Sequence, residues 1–77
     1  MLTVPPKAKD KHIDAALREA QRQGWTFKAK GNAHVMCFSP HDWPHGKVMV
    51  LALLGKNKQN RTVKNQLALF ANAGIKP

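Results

Sequence analysis

In this 77-residue chain, His34 is the residue whose type and setting suit catalysis. It follows Gly31, Asn32 and Ala33, and lies just past a segment in which Trp25, Phe27 and Ala29 alternate with Thr26, Lys28 and Lys30. A period of two gives a strand one apolar and one cationic face. Gly31-Asn32 tolerates positive φ and a second apolar run follows at once, so residues 24–38 read as a β-hairpin. Imidazole titrates near neutral pH and exchanges protons readily, and neighbouring ammonium groups stabilise negative charge growing on a phosphate. His34 as general acid/base, with Lys28 and Lys30 as charge stabilisers, therefore points to phosphodiester chemistry that needs no metal. The plainer alternative is a structural or solvent-exposed histidine.

Lys56, Lys58, Arg61 and Lys64 crowd the start of a second predicted helix. Cations there oppose the helix dipole, but free backbone N–H groups surrounded by cations suit a phosphate. A flexible charged loop is the bland reading. Cys37, His41 and His45 have the spacing Cys-x3-His-x3-His, which invites zinc. Closed zinc sites need four ligands, and Cys37 is better explained as strand core, so no metal or cofactor is expected. Trp43, in a Pro-rich loop, either stacks on a base or partner, or covers one end of the core.

Charge supports a polyanionic partner. The formal net charge is +9, and from residue 20 onward nine Lys and Arg face the single acid Asp42. Counterion release makes nucleic acid the first candidate, and RNA the partner that His34 chemistry favours. A solvated basic surface is the alternative, though opposite charges would then be interspersed. A membrane partner is not expected, since no helix pairs a basic face with a large apolar one and residues 48–54 are too few to span a bilayer. The N-terminal residues lack the apolar core of a signal peptide, and the lone Cys37 fits a reducing cytoplasm.

The elements that must hold these residues follow from periodicity. Residues 1–8, with Pro5-Pro6, read as an extended, partly mobile lead-in, and residues 9–77 as a single domain. Asp10 caps a helix reaching about residue 23, with Ile13, Ala16, Leu17 and Ala20 as its buried stripe and Gly24 as its stop. Strands are expected over residues 25–30, 33–38 and 47–54. His34 is placed on the open sheet face with Met36 and Phe38, because burying an imidazole is costlier than burying Val35 and Cys37. The third strand is apolar on both faces and reads as central or well covered. Asn60 or Thr62 then caps a helix to about residue 73, with Val63, Leu67, Phe70 and Ala71 buried and Gly74 as its stop. The order is α-β-β-β-α, an α+β fold.

Gly24-Trp25 opening the first strand, Gly31-Asn32-Ala33-His34 leading through an apolar strand to Pro40, and a last helix closing on Ala73-Gly74-Ile75 together resemble the HicA family of toxins. The matching segments, residues 17–25, 31–40 and 62–75, cover most of the chain. The resemblance implies a fold like that of double-stranded-RNA-binding domains, a three-stranded antiparallel sheet backed by two helices. It also implies an mRNA-cleaving endoribonuclease, held inactive by a HicB-like antitoxin, whose catalytic residue maps to His34. Family members usually carry Gly-Ser-His or a close variant, where this chain has Asn32-Ala33 before the histidine. A non-catalytic double-stranded-RNA- or DNA-binding module of the same shape, and a basic adaptor for an acidic protein, are the alternatives.

Overall fold

A computed structural model describes residues 2–31, 33–44, 46–55 and 60–75, with residues 60–62 described by their backbone alone. The elements are α1 (Lys11–Arg22), β1 (Thr26–Lys30), β2 (His34–Phe38), β3 (Met49–Leu53) and α2 (Asn60–Asn72). The three strands form one antiparallel sheet in the order β1-β2-β3, and this is the α-β-β-β-α fold that the sequence predicts.

Helix α1 starts where its sequence says it should. The Asp10 carboxylate accepts from the backbone N–H groups of His12 (2.8 Å) and Ile13 (3.1 Å), satisfying two donors that the first turn leaves open. Ile13, Ala16, Leu17 and Ala20 are fully buried, as their spacing requires. Gly24 ends the helix at φ +90, a conformation that a side chain disfavours. The chain then turns so that the Trp25 N–H reaches the Ala20 carbonyl at 3.0 Å.

The inner sheet face and the helices enclose the core. Phe27, Cys37 and Val50 form one cross-strand row of it, and Val35 and Ala52 lie side by side in the next. Trp25, Leu17, Phe70 and Ile75 fill the space between sheet and helices. Truncating a fully buried ring such as Phe27 to Ala costs about 3–5 kcal/mol in such a setting.

Both helices run the same way. The Lys9 N–H donates to the Leu54 carbonyl (3.0 Å), placing the start of α1 beside the exit of β3, and α2 begins six residues after Leu54. At the far end the Trp43 indole meets Trp25 edge to face, 5.3 Å between centroids, and donates to the carbonyl of Ala73 just past α2.

Several expectations need correction. Strand β3 is an edge strand and β2 is central. An apolar pattern on both faces of β3 arises because Val50 and Ala52 pack on the core while Met49, 53% exposed, and the half-buried Leu51 and Leu53 line the other face. Ala29 shares the side of Phe27 but is exposed, because no described residue covers the outer strand near its turn. On α2 Ala71 is exposed, and Phe70 with Ala73 carries the contact instead. Asn60 lies within α2 rather than before it. The lead-in is extended but held. Leu2 and Phe27 exchange two backbone bonds (2.7 and 2.8 Å), Arg18 donates to the Pro5 carbonyl, and the Ala8 N–H donates to Asp14.

Candidate functional site

The outer face of the sheet is built from three cross-strand rows. They are Lys30–His34–Leu53 nearest the hairpin turn, Lys28–Met36–Leu51 in the middle, and Thr26–Phe38–Met49 at the far end. His34 thus stands between a lysine on one side and a leucine on the other, with Lys28 one row along. The imidazole-bearing residue is half-buried, and both lysines are exposed.

The loop that sets this register is longer than its sequence suggests. A two-residue Gly31-Asn32 turn would pair Lys30 with Ala33 and put His34 opposite Ala29, on the core side. The observed pairing of Lys30 with His34 leaves three residues, 31–33, in the connection. A shift of one residue moves every side chain of a strand to the other face. Gly31 opens the loop at φ +65, and the Ala33 carbonyl accepts from Leu54 N–H at 2.7 Å, tying the hairpin to β3. His34 therefore occupies the open face that its desolvation cost predicts.

The acids of the chain are elsewhere. Asp10 caps α1, Asp14 and Glu19 pair with Arg18 (3.4 Å) and Arg22 (3.0 Å), and Asp42 is exposed in the loop before β3. Among the described residues neither Lys28 nor Lys30 has an ion-pair partner. The sheet face keeps an uncompensated positive field beside an imidazole, which suits an anionic substrate.

The second basic cluster is only partly in view. Lys56 and Lys58 lie outside the described residues, as does the side chain of Arg61. Lys64 is exposed on α2, at a hollow of about 280 Å³ that it shares with Val63, Leu67 and His12 of α1. That hollow is on the helix layer. The structure therefore brings Lys28, Lys30 and His34 together and leaves Lys64 on the opposite layer.

Cys37 is strand core, as its alternation with His34 and Met36 predicts. It is wholly buried on the inner face, where loss of solvent pushes its thiol up to about 12. A thiolate ligand there is disfavoured, and His41 lies exposed in the loop beyond. His45 lies outside the described residues, and among the described residues no three His, Cys, Asp or Glu converge on one point. Trp43 takes the core-covering role of its two sequence readings. No helix among the described residues is long and apolar enough to cross a membrane.

Sequence reasoning missed a hollow of about 430 Å³ at the end of the sheet away from His34, lined by Thr26, Phe38, His41, Lys47, Val48 and Met49 among others. Phe38 and His34 are four residues apart on one strand and on the same face, so about 13 Å separates them. The larger hollow and the candidate catalytic residue are distinct features of one surface.

Comparison of this chain with protein-family models, with curated proteins and with solved structures gave no match.

Proposed function

We propose that this protein is a small RNA-acting domain, an endoribonuclease of the HicA type with His34 as its catalytic residue. The observation that carries the reading is the direct cross-strand pairing of His34 with Lys30, on an open sheet face with Lys28 in the adjoining row and no described acid among its row residues. In that arrangement the imidazole takes the proton of a ribose 2′-hydroxyl as the oxygen attacks the adjacent phosphorus. The P–O5′ bond breaks, the departing oxygen takes a proton from water, and a 2′,3′-cyclic phosphate and a free 5′-hydroxyl result. Lys30 and Lys28 offset the extra negative charge on the pentacoordinate phosphorus. Lys56, Lys58, Arg61 and Lys64 are assigned to phosphate contacts with the RNA.

The resemblance in sequence adds a HicB-like inhibitory protein as partner. The outer face supports that addition, because Met36 and Leu51 in the row beside His34, and Met49 one row beyond, leave apolar surface for a protein to cover. The alternative of a non-catalytic nucleic-acid-binding module rests on Asn32-Ala33 standing where the family carries Gly-Ser.

Incubation of the purified protein with end-labelled RNA in excess EDTA tests the reading. Cleavage with cyclic-phosphate ends is expected, and its loss in His34→Ala with RNA binding retained. Undiminished cleavage by His34→Ala overturns the assignment, and binding without cleavage by the wild type establishes the non-catalytic module.

A further inference from the structure

We propose that the hollow at the far end of the sheet is a subsite for one nucleotide of single-stranded RNA, with Phe38 and His41 contacting the base and Lys47 its phosphate. The inference rests on the RNA reading above and adds to it where the strand goes after leaving His34.

The chemistry of the lining is the first support. Phe38, Val48 and Met49 supply an apolar floor, the exposed His41 supplies a second flat ring at the rim, and the exposed Lys47 supplies a cation. Among the described residues no carboxylate lines it. A flat apolar surface with rings and a cation but no acid fits a nucleobase carrying a phosphate, since every base has a π-face that stacks irrespective of sequence. The hollow, about 430 Å³ and open to solvent, has room for one base while leaving its sugar and phosphate outside.

Continuity is the second support. Phe38 and His34 lie on the same face of β2, with Met36 between them and Lys28 opposite Met36. An extended strand whose scissile phosphate sits at His34 passes Lys28 and arrives at the hollow about 13 Å away, without crossing to another layer.

Preorganisation is the third. The loop carrying His41 and Lys47 is closed by the Ser39 hydroxyl, which donates to the Gly46 carbonyl (3.3 Å) and accepts from the Val48 N–H (2.9 Å). The Ser39 N–H donates to the Val48 carbonyl (3.0 Å), and Trp43 anchors the loop to Ala73 (2.9 Å). A rim held at both ends loses little freedom when a ligand enters.

The test is an NMR titration of the wild type with uridine and adenosine monophosphates and with a single-stranded RNA of about ten nucleotides, 2′-O-methylated so that it cannot be cleaved, repeated on Phe38→Leu, His41→Ala and Lys47→Gln. Phe38→Leu keeps apolar volume and removes the ring, and the other two change exposed side chains, so each variant is expected to fold. Shifts at Phe38, His41, Lys47 and Met49 are expected, with RNA affinity reduced about fivefold to tenfold in Phe38→Leu and Lys47→Gln. RNA that shifts only the His34 end, with all three variants binding like the wild type, overturns the subsite and leaves the RNA reading standing. Mononucleotides that shift the hollow when RNA binds nowhere overturn both the RNA reading and this RNA subsite. Preference of the hollow for an acidic peptide over both probes overturns the proposal.

Discussion

Lys30 and His34 are direct cross-strand partners, and Leu53 flanks His34 on the other side. Side chains so paired have Cβ atoms about 5 Å apart, near enough for one phosphate to touch both. In the proposed mechanism the ammonium of Lys30 is then best placed for charge that develops on phosphorus, and Lys28, one row along, is placed less well. Lys30→Ala is expected to lower kcat about tenfold, Lys28→Ala less, and neither to alter the fold of an exposed site. Single-turnover cleavage of labelled RNA in EDTA measures this. Equal rates for Lys30→Ala and the wild type would remove Lys30 from the mechanism.

On the proposed function, the basic run of Lys56, Lys58, Arg61 and Lys64 makes a different prediction, because contacts to phosphates act through counterion release. Replacing Lys56, Lys58, Arg61 and Lys64 together by Gln should weaken RNA binding at low salt and flatten its salt dependence, by about 0.7 in the log–log slope for each phosphate no longer neutralised. kcat at saturating RNA should hold. Fluorescence anisotropy with 2′-O-methylated RNA, which cannot be cleaved, between 50 and 200 mM salt provides the slope, and an unchanged slope refutes the assignment.

How far the sequence could be read depended on the range of the contact involved. The α1 stripe and its Asp10 cap are local patterns, and so is the alternation that puts Lys28 and Lys30 on one face; all were legible. The face of His34 was legible too, but through the cost of burying an imidazole and not through the turn, whose apparent two-residue length pointed to the opposite face. Strand order was not legible, because Met49, Leu51 and Leu53 read equally as covered or as the apolar outer face of an edge strand. Ala29 and Ala71 are small enough to sit on either side of a surface at little cost, so their placement left no mark in the pattern. The hollow joins Thr26, Phe38 and Met49, which meet only when the sheet is assembled.

Trp43 illustrates a long-range contact with a measurable effect. Its indole N–H donates to Ala73, thirty residues on, at 2.9 Å, while its ring packs on Trp25. Trp43→Phe keeps a ring against Trp25 but removes the donor. One such bond is worth about 1 kcal/mol net. In a domain of this size that lowers Tm by about 4–8 °C, read by calorimetry. RNA affinity below the transition should match the wild type, and a large loss of affinity without loss of Tm would show that the indole stacks on a base instead.

Gly24 sits at φ +90, and a Cβ there would lie 3.7 Å from Pro40, in ordinary contact. Space is therefore not the constraint, and backbone conformation is. Gly24→Ala is expected to destabilise the protein by about 1–2 kcal/mol, the cost of a left-handed residue bearing a side chain. Urea denaturation measures it, and wild-type stability in the variant would mean that the turn rearranges.

Cys37 gives a prediction in pH. Its burial pushes the thiol from an ordinary value of 9.0 to about 12. Between those values the unfolded chain loses the proton and the native chain keeps it, so the unfolded state binds fewer protons and stability falls as pH rises. The contribution is intact below about pH 9 and lost by about pH 12. Cys37→Ala lacks this term but shares every lysine, so those titrations cancel in the comparison. At pH 8 the variant should be less stable by about 1 kcal/mol, for the packing its smaller side chain gives up. That deficit should shrink steadily from pH 9 to 10.5 in paired urea denaturation curves. A deficit constant over that interval would mean that the native thiol ionises as freely as the unfolded one, and that the inner sheet face admits water.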